Sequence, residues 1–178
     1  PSAVKAQAET EFAIERFRLS SDRGGIFDVE WAEVGEAWSW ELSLVVTASD
    51  NPLLLRDPDG DRAGALVDHR LGTSLLGQVA LTDWVQLALD LPLVLSQGGD
   101  APSDPAGAAA SDSFALGDLR LVPKVEVFRQ GDHGFGLAVL PIVTLPTATS
   151  DDFVGEMGPT FAPTVAVSKS AGALRFAA

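Results

Sequence analysis

The chain has 178 residues, 46% of them hydrophobic and 21% charged, with a formal net charge of −13. That length and apolar content allow one domain with a real core, while the acidity argues against nucleic acid and against adsorption to anionic lipid faces, both of which select basic surfaces. There is no cysteine, which excludes structural disulfides, thiolate zinc sites and thiol catalysis.

The opening PSAVKAQAETEF lacks the basic start and apolar run of a leader, as in a mature chain whose leader has been removed. Residues Ala3–Arg18 have helix-like composition. Asp22-Arg23-Gly24-Gly25 reads as a turn, and Ile26–Val34 as a short strand. Residues 1–34 are taken as a lead-in and 35–178 as the β region.

From Trp38 a two-residue period takes over. Trp38, Trp40, Leu42, Leu44, Val46 and Ala48 share one face of a strand; Glu41, Ser43 and Thr47 share the other. Asp57–Asp61 is a loop by its turn residues, and a second strand spans about Ala65–Leu81. After a tight turn at Thr82-Asp83, the stretch WVQLALDLPLVL has Val or Leu at every odd position from Val85 to Leu95, with Gln86 and Asp90 on the opposite face. Gly98–Asp112 reads as a long flexible loop. The next strand, about Phe114–Phe128, puts Asp118, Arg120, Lys124 and Glu126 on one face. A turn at 130–134 leads to a strand at Phe135–Thr147; a loop at 149–158 leads to a strand at Thr160–Ser168, and LRFAA begins a further one. The long connections fall at one end of the strands and the short turns at the other.

Alternation alone also describes a soluble antiparallel sheet with one face on a core. Three features favour lipid. The aliphatic row Val85–Leu95 has the length, about 9–11 residues, that a tilted strand needs to cross hydrocarbon. Long loops on one side with short turns on the other are the asymmetry of outer-membrane barrels. Trp38, Trp40 and Trp84 stand at strand ends, where aromatic rings meet headgroups. Against these stand Pro92, Pro123, Pro141 and Pro163 inside the strands, each removing a ladder donor, and the complete lack of tyrosine.

The segments AWSWELSLVVTASDNPLLLRD, LVDHRLGTSLLGQVALTDWVQLALDLPLVLSQGG and LVPKVEVFRQGDHGFGLAVLPIVTLPTA resemble the N-terminal barrel portion of large outer-membrane proteins of the OmpA family, of the myxobacterial type, over about residues 12–178. The resemblance implies an outer-membrane barrel of a Gram-negative bacterium. Members of that family usually continue into acidic calcium-binding repeats and a peptidoglycan-binding domain. Neither pattern occurs in these residues, so no cell-wall tether is carried over.

The expected fold is therefore all-β: an antiparallel up-and-down β-barrel of transmembrane type. Six strands are clear and the two ends supply a seventh and an eighth, so the barrel is either small or partial, completed by more chain or by oligomerisation. The expected role is structural or pore-forming, with no catalysis, no cofactor and no nucleic acid. Its partners would be the bilayer and further barrel strands from the same protein or other copies. Glu41, Gln86, Asp90, Asp118, Arg120, Lys124 and Glu126 are expected to line a polar lumen, where they set selectivity or plug the barrel. The alternative is a soluble β-sandwich acting as a binding or assembly module.

Other chemistry is thinly supplied. Asp57, Asp59, Asp61 and Asp68 occupy positions one, three, five and twelve of a calcium-loop spacing, but the sixth is Arg62 rather than Gly and the twelfth is not Glu. A solvated acidic loop is the plainer reading. His69 and His133, the only histidines, are far apart, and no nucleophile elbow, phosphate loop or HExxH occurs.

Overall fold

The computed structural model describes residues 18–56, 58–100, 114–150 and 154–178. The strands are β1 (Trp40–Arg56), β2 (Arg62–Thr82), β3 (Val85–Asp100), β4 (Ala115–Leu116), β5 (Leu119–Phe128), β6 (Gly136–Leu145), β7 (Thr160–Ala171) and β8 (Leu174–Ala177), with one helical turn, α1 (Gln130–His133), between β5 and β6. They form a single sheet in the order β1-β2-β3-β5-β6-β7-β8, with β4 paired to β3. All pairings are antiparallel, and the sheet curls into a half-barrel. Because the path has seven strands, β1 and β8 run in the same direction, and their outer edges carry no partner strand among the described residues.

The period of two settles which residues face which way. Rows such as Leu42, Leu44 and Val46, then Leu87, Leu89 and Leu91, then Val139 and Val143, lie on the outer face, where Leu44 is 66% exposed and Leu89 42%. The opposite row is buried: Gln86, Ala88 and Asp90 of β3, Val122 and Lys124 of β5, Ala138, Leu140 and Ile142 of β6, Ala166 and Ser168 of β7. No second sheet covers either face among the described residues. What covers the inner face is the lead-in, residues 18–34. Its Ala32 joins Ala88, Val122, Ala138, Leu140, Ile142 and Ala166 in one apolar cluster. Small residues on β6 and β7 let the lead-in approach closely. Gly136 is one such place, since a Cβ there would sit 3.2 Å from that of Ala32.

Several element boundaries differ from those expected. Ile26–Val34, expected as a strand, forms only an isolated bridge between Ile26 and Val29. Phe27 has φ +54, which breaks an extended run, and the backbone donors of Ala32 and Val34 go to wall side chains rather than to a neighbouring strand. β1 extends past Ala48 through a register irregularity between Asp50 and Leu53, which also houses Asn51 at φ +51 and Pro52. β3 continues through Gly98 and Gly99, expected as loop. A Cβ on Gly99 would fall 2.1 Å from the Leu66 carbonyl oxygen, so glycine here permits close strand approach rather than a turn. The expected strand Phe114–Phe128 is split into β4 and β5 by a step at Gly117-Asp118. LRFAA does form a strand, β8. The helix-like Ala3–Arg18 lies, apart from Arg18, outside the described residues, as do positions 101–112 of the expected loop.

Three of the strand prolines are aligned, while Pro92 of β3 stands apart opposite Ser74 and Pro52 sits in the β1 irregularity. Pro141 of β6 pairs with Pro163 of β7. Pro123 lies between the rungs Leu121↔Val143 and Val125↔Val139, hence opposite Pro141, where β5–β6 pairing is interrupted. Leu87 of β3 pairs with Pro123. Three prolines thus form one transverse row on the outer face, and their missing donors are confined to a single level of the wall.

Truncating the inner cluster should cost far more than truncating the outer row. Leu140→Ala, at a fully buried position, is expected to lower stability by about 2–5 kcal/mol, and Leu44→Ala by clearly less, as read from urea unfolding midpoints of the two refolded variants.

Candidate functional site

The inner face carries the charges, and its centre is Lys124. The alternation of β5 turns it inward, opposite Gln86 of β3, and the lead-in seals it off from solvent completely. A buried ammonium is costly by several kcal/mol unless partners surround it. Lys124 Nζ donates to Asp22 Oδ2 at 2.5 Å and lies 3.2 Å from Glu30 Oε2. Gln86 Nε2 donates to the same Asp22 oxygen at 3.0 Å. Glu30 is held in turn by Ser21, whose backbone N–H (2.9 Å) and hydroxyl (2.8 Å) donate to its two oxygens.

The same arrangement repeats on either side. Arg18 of the lead-in lies 3.7 Å from Asp90 of β3, and Asp90 is the cross-strand neighbour of Arg120, 4.0 Å away. Arg23 Nε meets Glu41 Oε1 of β1 at 2.6 Å, with Gln78 also donating to Glu41. Further along, the Val34 backbone N–H donates to Glu126 Oε2, and the Ala32 N–H to Ser168 Oγ. At the far edge Arg175 of β8 lies 4.1 Å over the ring of Trp31 and donates to the Gly24 carbonyl. The lead-in therefore spans the half-barrel from β1 to β8. At four contacts its charge is opposite to the wall's: Arg18 on Asp90, Asp22 and Glu30 on Lys124, Arg23 on Glu41. It leaves space on the β1–β3 side. A cavity of about 30 Å³ is lined by Arg18, Val45, Ser74 and Asp90, and one of about 210 Å³ by Asp22, Arg23, Glu41 and Gln78.

Of the residues expected to line a lumen, Glu41, Gln86, Asp90, Arg120, Lys124 and Glu126 lie on this inner face. Asp118 is different. It stands at the step before β5, 2% exposed, and its carboxylate accepts backbone N–H groups from Thr147, Ala148 and Glu156. It organises the long connection between β6 and β7. Glu126 also accepts from Arg129 Nε at 3.3 Å; that hydrogen bond holds the Arg129 guanidinium above its ordinary pKa. Arg18, Asp22 and Glu30 were not singled out from sequence: 102 positions separate Asp22 from Lys124, and no local pattern joins them. A weak signal did exist, because the inner row sets Lys124 opposite a neutral Gln86 and so leaves its charge without a cross-strand partner.

Trp38, Trp40 and Trp84 all sit at the short-turn rim, 74%, 75% and 55% exposed. Phe135 and Phe176 accompany them, while Phe114 and Phe161 stand exposed at the long-loop rim. Between the rims the outer rows Trp40–Ala48, Leu71–Leu81, Val85–Leu95, Leu119–Val127, Phe135–Leu145 and Phe161–Val167 carry no charged side chain. Their one hydroxyl, on Thr73, is spent on the Val45 carbonyl at 2.8 Å.

Asp57 lies outside the described residues, Asp59 and Asp61 flank Gly60, and Asp68 is engaged with His69 Nδ1 at 2.5 Å. Among the described residues no three His, Cys, Asp or Glu side chains are grouped to hold a metal. His133 packs 4.8 Å from the Phe128 ring. No protein-family model, curated protein or solved structure matches this chain.

Replacing Asp118 by Ala removes the acceptor of three backbone donors and should open the 146–158 connection. We expect faster limited proteolysis there and a loss of about 1–3 kcal/mol in urea melts, the cost of leaving buried backbone donors without their acceptor.

Proposed function

We propose that this half-barrel is a membrane-embedded wall of an outer-membrane protein of the OmpA type, with a structural or pore-forming role, a polar inner space and long connections on one side of the bilayer. The reading rests on one observation: burial is inverted. Lys124, Asp90 and Gln86 are buried, while Leu42, Leu44 and Val46 are bare. In water this would leave an apolar surface much larger than the few hundred Å² a soluble monomer ordinarily exposes. In hydrocarbon it costs nothing, and between the two edges, the proline level aside, the backbone pairs within the sheet. The outer row Val85–Leu95 spans about 25 Å once a strand tilt of about 45° is allowed for, which fits the apolar band of such barrels. The aromatic side chains at both rims fall where headgroups begin.

The sheet's two edges give the reading a second requirement. In lipid an edge with unpaired donors and acceptors is not tolerated, so further strands complete the wall. Because β1 and β8 point the same way, antiparallel closure takes an odd number of added strands. Two copies related by rotation about the barrel axis would join β1 to β8 in parallel. Strands of the same protein therefore fit the parity better than a second copy alone.

Reconstitution tests this. Trp38, Trp40 and Trp84 should be quenched by brominated lipids in vesicles, and the chain should need detergent or lipid to stay dispersed. Leu89→Arg on the outer face is expected to cost about 2–4 kcal/mol in a bilayer, against about 0.5 kcal/mol or less for an exposed site in water. A chain monodisperse in plain buffer and indifferent to Leu89→Arg would instead be a soluble module.

A further inference from the structure

We infer that residues 18–34 are a plug: a segment of this chain seated by charge on the inner face of the half-barrel, able to withdraw and leave the wall folded, and thereby deciding whether the enclosed space is open. The argument for a plug, as opposed to a piece of the wall, is in how the segment is held. Its only β contact is its own Ile26–Val29 bridge; it adds no strand to the sheet. None of the wall's strand pairings involves a residue of the lead-in. The segment is attached by side chains at separate points: Arg18 to Asp90, Asp22 and Glu30 to Lys124, Arg23 to Glu41, and Arg175 over Trp31.

Such contacts are suited to exchange with water. Away from the apolar cluster around Ala32, the surface beneath the lead-in carries Glu41, Gln86, Asp90, Arg120 and Lys124, groups that hydrate readily once uncovered, beside Val45 and Leu76. Ion pairs closed off from solvent gain little over the hydrated ions, because desolvation offsets their attraction. A wall that bound its lead-in through an apolar seam alone would expose that seam on release; this one uncovers the cluster beneath Ala32 and, over the rest of the seat, charges. The seat is also only partly filled, since the cavities of about 30 and 210 Å³ lie between segment and wall on the β1–β3 side. Lys124 is the latch, because it takes two carboxylates from the segment and has no exposure while they are in place. Removing those carboxylates strands a buried cation, and withdrawal is the way to rehydrate it without unfolding the sheet. The opening of a pore rests on the membrane reading above; the seating and release of the segment do not.

The absence of cysteine makes the test direct. Single reporters Ser21→Cys on the segment and Ser168→Cys on the wall beneath Ala32 are both nearly inaccessible, at 4% and 1% exposure. Each is placed in the parent chain, in Asp22→Asn/Glu30→Gln and in Lys124→Met, folded in detergent or vesicles, and its reaction with a charged maleimide is timed. Wall integrity is followed separately by Trp38, Trp40 and Trp84 emission and by cold-gel mobility. The expected result is labelling at least tenfold faster at both reporters in both variants, with the wall signals unchanged. Labelling as slow as in the parent, with an intact wall, overturns the plug and makes the segment a fixed strut. Loss of the wall signals together with fast labelling overturns it too, since segment and wall would then form one inseparable unit. Neither result depends on whether the chain requires lipid, so failure here and failure of the membrane reading are told apart.

Discussion

One buried ammonium constrains the whole arrangement. Lys124 points inward because β5 alternates, and alternation gives its neighbours Pro123 and Val125 to the outside. A cation so placed needs anions, and the strand alongside supplies only Gln86 at its level. The anions come from the lead-in. The choice of which face is polar therefore also decides that the chain's first described residues cross the inside of the curl, and that the outside is left to the aliphatic row.

The inner face is not uniform, and its two halves do different work. Toward β6 and β7 it is small and apolar, with Ala138, Leu140, Ile142 and Ala166 packed on Ala32. Toward β1–β3 it is polar and incompletely filled. A second apolar group, Val94, Ala115 and Val154, closes the long-connection end. Dry packing fixes the curl on one side, and the polar half keeps room for water on the other. A sandwich would have used the Leu and Val rows for its core; here those rows, from Leu42–Val46 to Val165–Val167, are left outside.

Much of the fold could be read from local order. The strands around Leu71–Leu81, Val85–Leu95 and Phe135–Leu145 were recognisable because each alternates over ten or more positions, and the face assigned to each charged residue followed from parity alone. What could not be read was governed by contacts distant in sequence. Gly98 and Gly99 looked like loop and are strand, because the decisive feature is the nearness of the Leu66 carbonyl. Asp118 looked like one more wall charge, yet Gly117 beside it breaks the strand and turns the carboxylate to three loop amides. The seat of Asp22 and Glu30 lies about a hundred positions from their partner and left no periodic trace.

The row formed by Pro123, Pro141 and Pro163 has a consequence for how the sheet finds its alignment. Strands rich in Leu and Val on one face are nearly interchangeable under a slip of two residues, because every side chain keeps its side. Proline removes that degeneracy. A slip of β6 against β5 or β7 would carry Pro141 off the level it shares with Pro123 and Pro163, so that the ladders would be interrupted at more than one rung. The three rings act as a notch cut at the same height in three adjoining staves, so that the pieces fit at one offset and are penalised at the others.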